Sequence, residues 1–248
     1  KLIINYIKES DDHSIDDSLF LEYKILGLDN VRIEKITKKN ALGIENFKIH
    51  QSYKIGNVDD FSFVIKNELD KKITFNSDSI IIDRDIIIPS GYEVLIKNGA
   101  FIDMINSSSI ISYSNIICKG LENKRITFTS SDNTGQGISV ISTNSVSKFK
   151  FVDFENLQAV NKPFYSLTSS LTFYQSNIHF NNCSFSKNLK GDDLLNIVRS
   201  QFFIENSIFD YSFADALDID FAEGSINNVR FNYCGNDCLD ISGSDVDI

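Results

Sequence analysis

The 248 residues include no tryptophan, one methionine, three histidines, four cysteines and only 12 glycines. Each shortage removes a class of protein. A β-propeller needs a period of about 40 residues with Trp- or Gly-marked blades, and neither is present. Twelve glycines are too few for calcium-binding nonapeptide repeats, and no leucine lattice marks a leucine-rich repeat. Three histidines and no CxxC pair leave the usual zinc spacings unfilled. Cys118, Cys183, Cys234 and Cys238 do not make a dense disulfide framework. Cys234 and Cys238 are close enough to bridge, and a free buried thiol at each fits the sequence equally well.

Positive charge is also scarce. Twenty-four Lys and Arg stand against 34 Asp and Glu, a net charge of −10 with no basic stripe, which argues against a binder of phosphate backbones. Such a surface repels a polyanionic polysaccharide unless a cation or a local Lys/Arg patch intervenes. No apolar run reaches transmembrane length, so no membrane span is expected in this stretch. The chain opens on Lys1, has its single Met at position 104, and closes on ISGSDVDI in mid-repeat. It reads as a piece of a longer protein.

What is present is apolar and strand-like. Hydrophobic residues make up 42% of the chain and 20 of its residues are Phe, enough for a sizeable core. Residues 1–60 read as a small N-terminal α+β or β segment: KLIINYI is strand-like, SIDDSLFLEYKILGL suits a short helix or two strands, and the following alternation suits strands around a turn. From about residue 73, short Ile- and Val-rich runs are broken by Ser, Asn and Gly, with turn signals at Pro89-Ser90-Gly91 and Lys97-Asn98-Gly99.

A repeat selects the fold. GDDLLNIVRS (191–200), FADALDIDFA (213–222) and GNDCLDISGS (235–244) align without a gap. Phe180, Ile204 and Ile226 align upstream of the three stretches, as do Asn182, Asn206 and Asn228, and Phe185, Phe209 and Phe231. Extra length is absorbed in NKPFYSLTSSLTFYQS. Constant columns with insertions at one place indicate a right-handed single-stranded parallel β-helix, an all-β solenoid over residues 61–248 with coils of about 22–31 residues, expected to be truncated at its C-terminal end.

The aspartates carry the functional question. Alternation in ALDIDF puts Leu217, Ile219 and Phe221 in the lumen and Asp218 and Asp220 toward solvent, near Asp215. Asp237 and Asp240 repeat the arrangement one coil on. Stacked carboxylates repel, and three readings follow. A divalent cation, Ca2+ by its preference for oxygen, would be held by Asp215, Asp218, Asp220, Asp237 and Asp240. Alternatively, each carboxylate accepts backbone N–H groups of the next coil. Or Asp215, Asp218, Asp237 and Asp240 supply a catalytic acid/base pair, with Lys190 or Arg199 as base or charge neutraliser.

Two tracts carry a family resemblance. Ile88, Pro89, Gly91, Leu95, Ile96, Gly99 and Ala100, then Gly120, Ile126, Phe128, Thr129 and Ser130, resemble the opening coils of bacterial surface and secreted right-handed parallel β-helix proteins. The tract containing Asp215, Ala216, Asp218, Gly235, Asn236, Asp237, Asp240, Ser242, Gly243 and Ser244 is similar to β-helices attached to spore-coat-H-like kinase domains of large surface proteins. The resemblance covers residues 78–248. It implies an extracellular or cell-surface module serving as a scaffold or contacting glycan, with polysaccharide or other domains of a larger protein as partners. Polygalacturonases and polysaccharide lyases share this fold. Asn236-Asp237-Cys238 resembles the polygalacturonase aspartate pair beside a cysteine, with Asn in place of the first Asp, and the accompanying Gly-His-Gly and Arg-x-Lys motifs have no counterpart. A lyase, epimerase or glycoside hydrolase acting on an acidic polysaccharide along the Asp face is the alternative the fold implies.

Overall fold

The structure, a computed structural model, describes residues 19–24, 31–36, 56–162 and 165–248. KLIINYI, His13 and His50 lie outside the described residues. Two compact units are separated by their contacts, residues 1–49 and 50–248. In the first, strands Leu19–Lys24 and Val31–Ile36 pair antiparallel.

The second unit is a right-handed parallel β-solenoid of about seven coils. Each coil contributes one strand to each of three walls. Wall one runs from Lys72–Phe75 through Ser147–Lys150 to Asp245–Asp247 and is extended by the antiparallel strand Val64–Asn67. Wall two runs from Ser79–Ile82 to Arg230–Cys234, and wall three from Ile86–Ile88 to Leu239–Ser242. The register pairs Phe149 with Phe180, Phe180 with Ile204 and Ile204 with Ile226, spacings of 31, 24 and 22 residues that the aligned columns imply.

The lumen is filled by equivalent residues stacked coil on coil. Phe128, Phe154, Phe185, Phe209 and Phe231 form one ladder, with successive ring centroids 5.3, 5.3, 4.4 and 5.0 Å apart and near-parallel planes. The spacing follows from the strand separation of about 4.8 Å, which leaves offset stacking as the natural contact. Val58, which opens a short 3-10 turn, and Phe61, which follows it, join this core from the N-terminal side.

From Ser142 onward the corners of the coils turn on a left-handed residue. One column is Phe151, Asn182, Asn206 and Asn228; another is Asn156, Lys187, Tyr211 and Tyr233; the third is Ser142, Gln175, Arg199, Phe221 and Gly243. The Asn column pairs amides as its alignment suggests, Asn228 Nδ2 donating to Asn206 Oδ1 at 2.8 Å.

Two readings of the sequence need correction. Phe221 is not in the lumen: its strand ends at Asp220, and at φ 51° the chain turns the ring out, leaving it 64% exposed. The insertion is also shorter than NKPFYSLTSSLTFYQS. Its first half forms the small antiparallel pair Asn161–Lys162 with Tyr165–Ser166, but Ser169–Tyr174 is a buried strand of wall three. A periodicity argument stops at the bend of each coil, because it contains no information on where φ changes sign.

Candidate functional site

The three aligned stretches supply consecutive strands of wall three: Asp193–Val198, Asp215–Asp220 and Leu239–Ser242. Asp193 pairs with Asp215, Asn196 with Asp218, Asp218 with Asp240, and Val198 with Asp220. Leu195, Ile197, Leu217 and Ile219 fill the lumen and are fully buried.

The aspartates are less exposed than alternation suggests. Asp193 and Asp215 open their strands at the bend and keep only 2% and 7% of their surface exposed. Asp192, Asp193 and Asp215 each bring an oxygen within 4.8 Å of the others, a set able to coordinate a divalent cation. Of the residues expected to hold a metal, Asp215 alone belongs to this set. Asp192 and Asp193 come from the Asp doublet that opens the first stretch, a signal present in the sequence but weaker than the aspartates of the later, more acidic coils.

Asp218 and Asp220 form a second group, tied to the coil below. Asn196 Nδ2 donates to Asp218 Oδ2 at 2.6 Å and to Asp220 Oδ2 at 3.2 Å. Asp237 is exposed and precedes its strand; its backbone N–H donates to Asp215 Oδ1 at 2.8 Å, as does Asn236 Nδ2. Asp240 is half-buried in the Asp218 column. One oxygen of Asp215 is thus held by the next coil, as a hydrogen-bonded ladder requires. Two other oxygens are not: Asp193 Oδ2 and Asp218 Oδ1 are buried and accept no hydrogen bond among the described residues.

Electrostatics follow from that geometry. Burial, with the carboxylates of Asp192, Asp215 and Asp220, pushes the Asp193 carboxyl up to about 6, against a hydrogen bond from Thr168. Burial, then Asp193 and Asp220, raises Asp218 to about 7, against its bond from Asn196. A buried anion without a counter-charge is costly, and the protein leaves the deficit at one place.

The cations expected beside the aspartates make no ion pair with them among the described residues. Lys190 is exposed, its backbone O accepting from Ala159 N at 2.9 Å. Arg199 occupies a left-handed corner, exposed, with Nη1 donating to Tyr174 Oη at 3.3 Å. Beside the wall's last strand, Cys234 and Cys238 form a disulfide, while Cys118 and Cys183 are free and buried. No helix among the described residues is long and apolar enough to cross a membrane.

No family model, curated protein or solved structure matches this chain.

Proposed function

We propose that the chain is an extracellular scaffold module, a β-solenoid rod stiffened by a divalent cation bound at Asp192, Asp193 and Asp215. The observation that carries this is Asp193 Oδ2, a buried carboxylate oxygen with no hydrogen-bond partner among the described residues, inside a set of three converging carboxylates. The all-oxygen donor set suits calcium, with waters completing its coordination. Resemblance to bacterial surface proteins and the Cys234–Cys238 disulfide both support an oxidising, extracellular location. Thermal melts in EDTA and in millimolar calcium test it. A cation present at about a hundred times its Kd raises the melting temperature by roughly 5–10 °C. No difference between the two conditions removes the cation.

A second reading is favoured by Asp218. A carboxyl raised to about 7 is poised as a general acid for attack on an acidic polysaccharide along this wall. Incubation with oligogalacturonate and with alginate, followed by reducing ends and unsaturated uronate, tests it; absence of both products eliminates the reading.

A further inference from the structure

A groove lies on the first four coils, away from the acidic cluster, at the corner where wall three passes into wall one. It originates in corner length. Strands Ile110–Ser112 and Asn115–Lys119 are joined by only Tyr113 and Ser114. The flanking corners are longer: residues 89–92 join Ile86–Ile88 to Glu93–Ile96, and 142–146 join Ile138–Ile141 to Ser147–Lys150. A short corner between two long ones leaves a notch whose walls lie two coils apart, about 10 Å. The notch holds about 450 Å3.

Its lining is hydroxyl- and amide-rich. Tyr113 and Ser114 lie at the short corner with Asn115, and Thr143 and Asn144 belong to the long corner beyond. Charges balance, Asp70 and Glu93 against Lys71 and Lys72. The frame is rigid: Ser114 Oγ donates to Pro89 O at 2.6 Å and accepts from Tyr92 N at 3.0 Å, and Tyr92 Oη donates to Glu68 at 2.7 Å. Asn115 is the exception. It is 7% exposed, yet its side-chain amide makes no hydrogen bond among the described residues. Its polar atoms nevertheless keep contact with solvent on the groove side, so the amide is available to a ligand that supplies both a donor and an acceptor.

We propose that this groove binds a neutral carbohydrate, with the Asn115 amide bonding sugar hydroxyls and the Tyr113 ring offering an apolar face to sugar C–H groups. An uncharged polyhydroxylated ligand matches the balanced charge and the density of hydroxyls and amides; an apolar ligand leaves those groups unpaired. The proposal is independent of the cation at Asp193.

The test is isothermal titration of the whole chain with cellohexaose, xylohexaose and mannohexaose, and with hexagalacturonate as the charged comparator, in EDTA and in calcium. Because the chain has nine Tyr and no Trp, tyrosine emission gives a parallel readout. The expected result is millimolar or tighter binding of a neutral hexasaccharide in both buffers. Asn115→Ala weakens it at least about tenfold. Asn144→Trp, a groove-filling change at an exposed position that leaves the core untouched, does the same, while Phe203→Ala on the outer face of wall one does not. Circular dichroism confirms folding of each variant. No binding of any neutral hexasaccharide at millimolar concentration overturns the proposal. So does binding that Asn144→Trp leaves intact, or binding of hexagalacturonate alone.

Discussion

Asp193 lies directly opposite Asp215 in adjacent parallel strands, and both side chains are buried. Two like charges one coil apart, in a site of low polarity, are tolerable only if one is protonated or a cation sits with them. That relationship distinguishes this wall from the other two.

Asp193→Asn should therefore act in opposite directions in two buffers. In EDTA it removes a buried, repelled carboxylate and raises stability by on the order of 1–2 kcal/mol near neutral pH. In calcium it removes a ligand and abolishes the rise in melting temperature. Calorimetry of wild type and variant in both buffers checks this; a variant that melts lower than wild type in EDTA contradicts it.

The pH dependence has a defined sign. Asp193 and Asp218 have folded-state pKa values of about 6 and about 7, above the ordinary 3.8. Between 3.8 and those values the folded chain holds more protons than the unfolded chain, so stability falls as pH rises. In EDTA, the contribution of these two carboxyls is greatest below about pH 4 and is lost by about pH 7. Asp218→Asn should flatten the upper part of that decline. A wild-type melting temperature that rises steadily from pH 4 to 7 in EDTA sinks the prediction.

Phe185 stacks on Phe154 and Phe209 and meets Phe180 edge-on. Phe185→Ala opens a cavity in the lumen and should cost about 3–5 kcal/mol, measured by urea unfolding. A loss below about 1 kcal/mol means that the ladder does not hold the coils together.

Phe221→Gly separates the two placements of that residue. As a lumen residue it would cost about as much as Phe185→Ala. At an exposed corner with φ 51°, glycine relieves a left-handed conformation and the change should be neutral or stabilising by up to about 1 kcal/mol. Urea unfolding again decides.

Much of the fold is legible in the sequence because a solenoid writes its period into the chain. Phe185, Phe209 and Phe231 must recur at one coil's spacing to stack, and Asn206 and Asn228 to pair amides, so aligned columns are the structure in one dimension. The site is legible in part: the Asp193–Asp215 and Asp218–Asp240 columns are visible, and so is the short reach from Cys234 to Cys238. The convergence of Asp192 with Asp193 and Asp215 is not visible, nor is the burial of a carboxylate expected in solvent.

The sequence by itself determined the period, the lumen ladders and the acidic columns, since these rest on residue spacing and on alternation along a strand. The tertiary structure decided what happens at the bends, where spacing is silent and the sign of φ directs each side chain. There it turned Phe221 outward, drew Asp193 and Asp215 inward, and set Tyr113 and Ser114 back between two longer corners. Both candidate sites lie at or beside bends, where the backbone departs from the repeat and spacing along the chain no longer fixes which way a side chain faces.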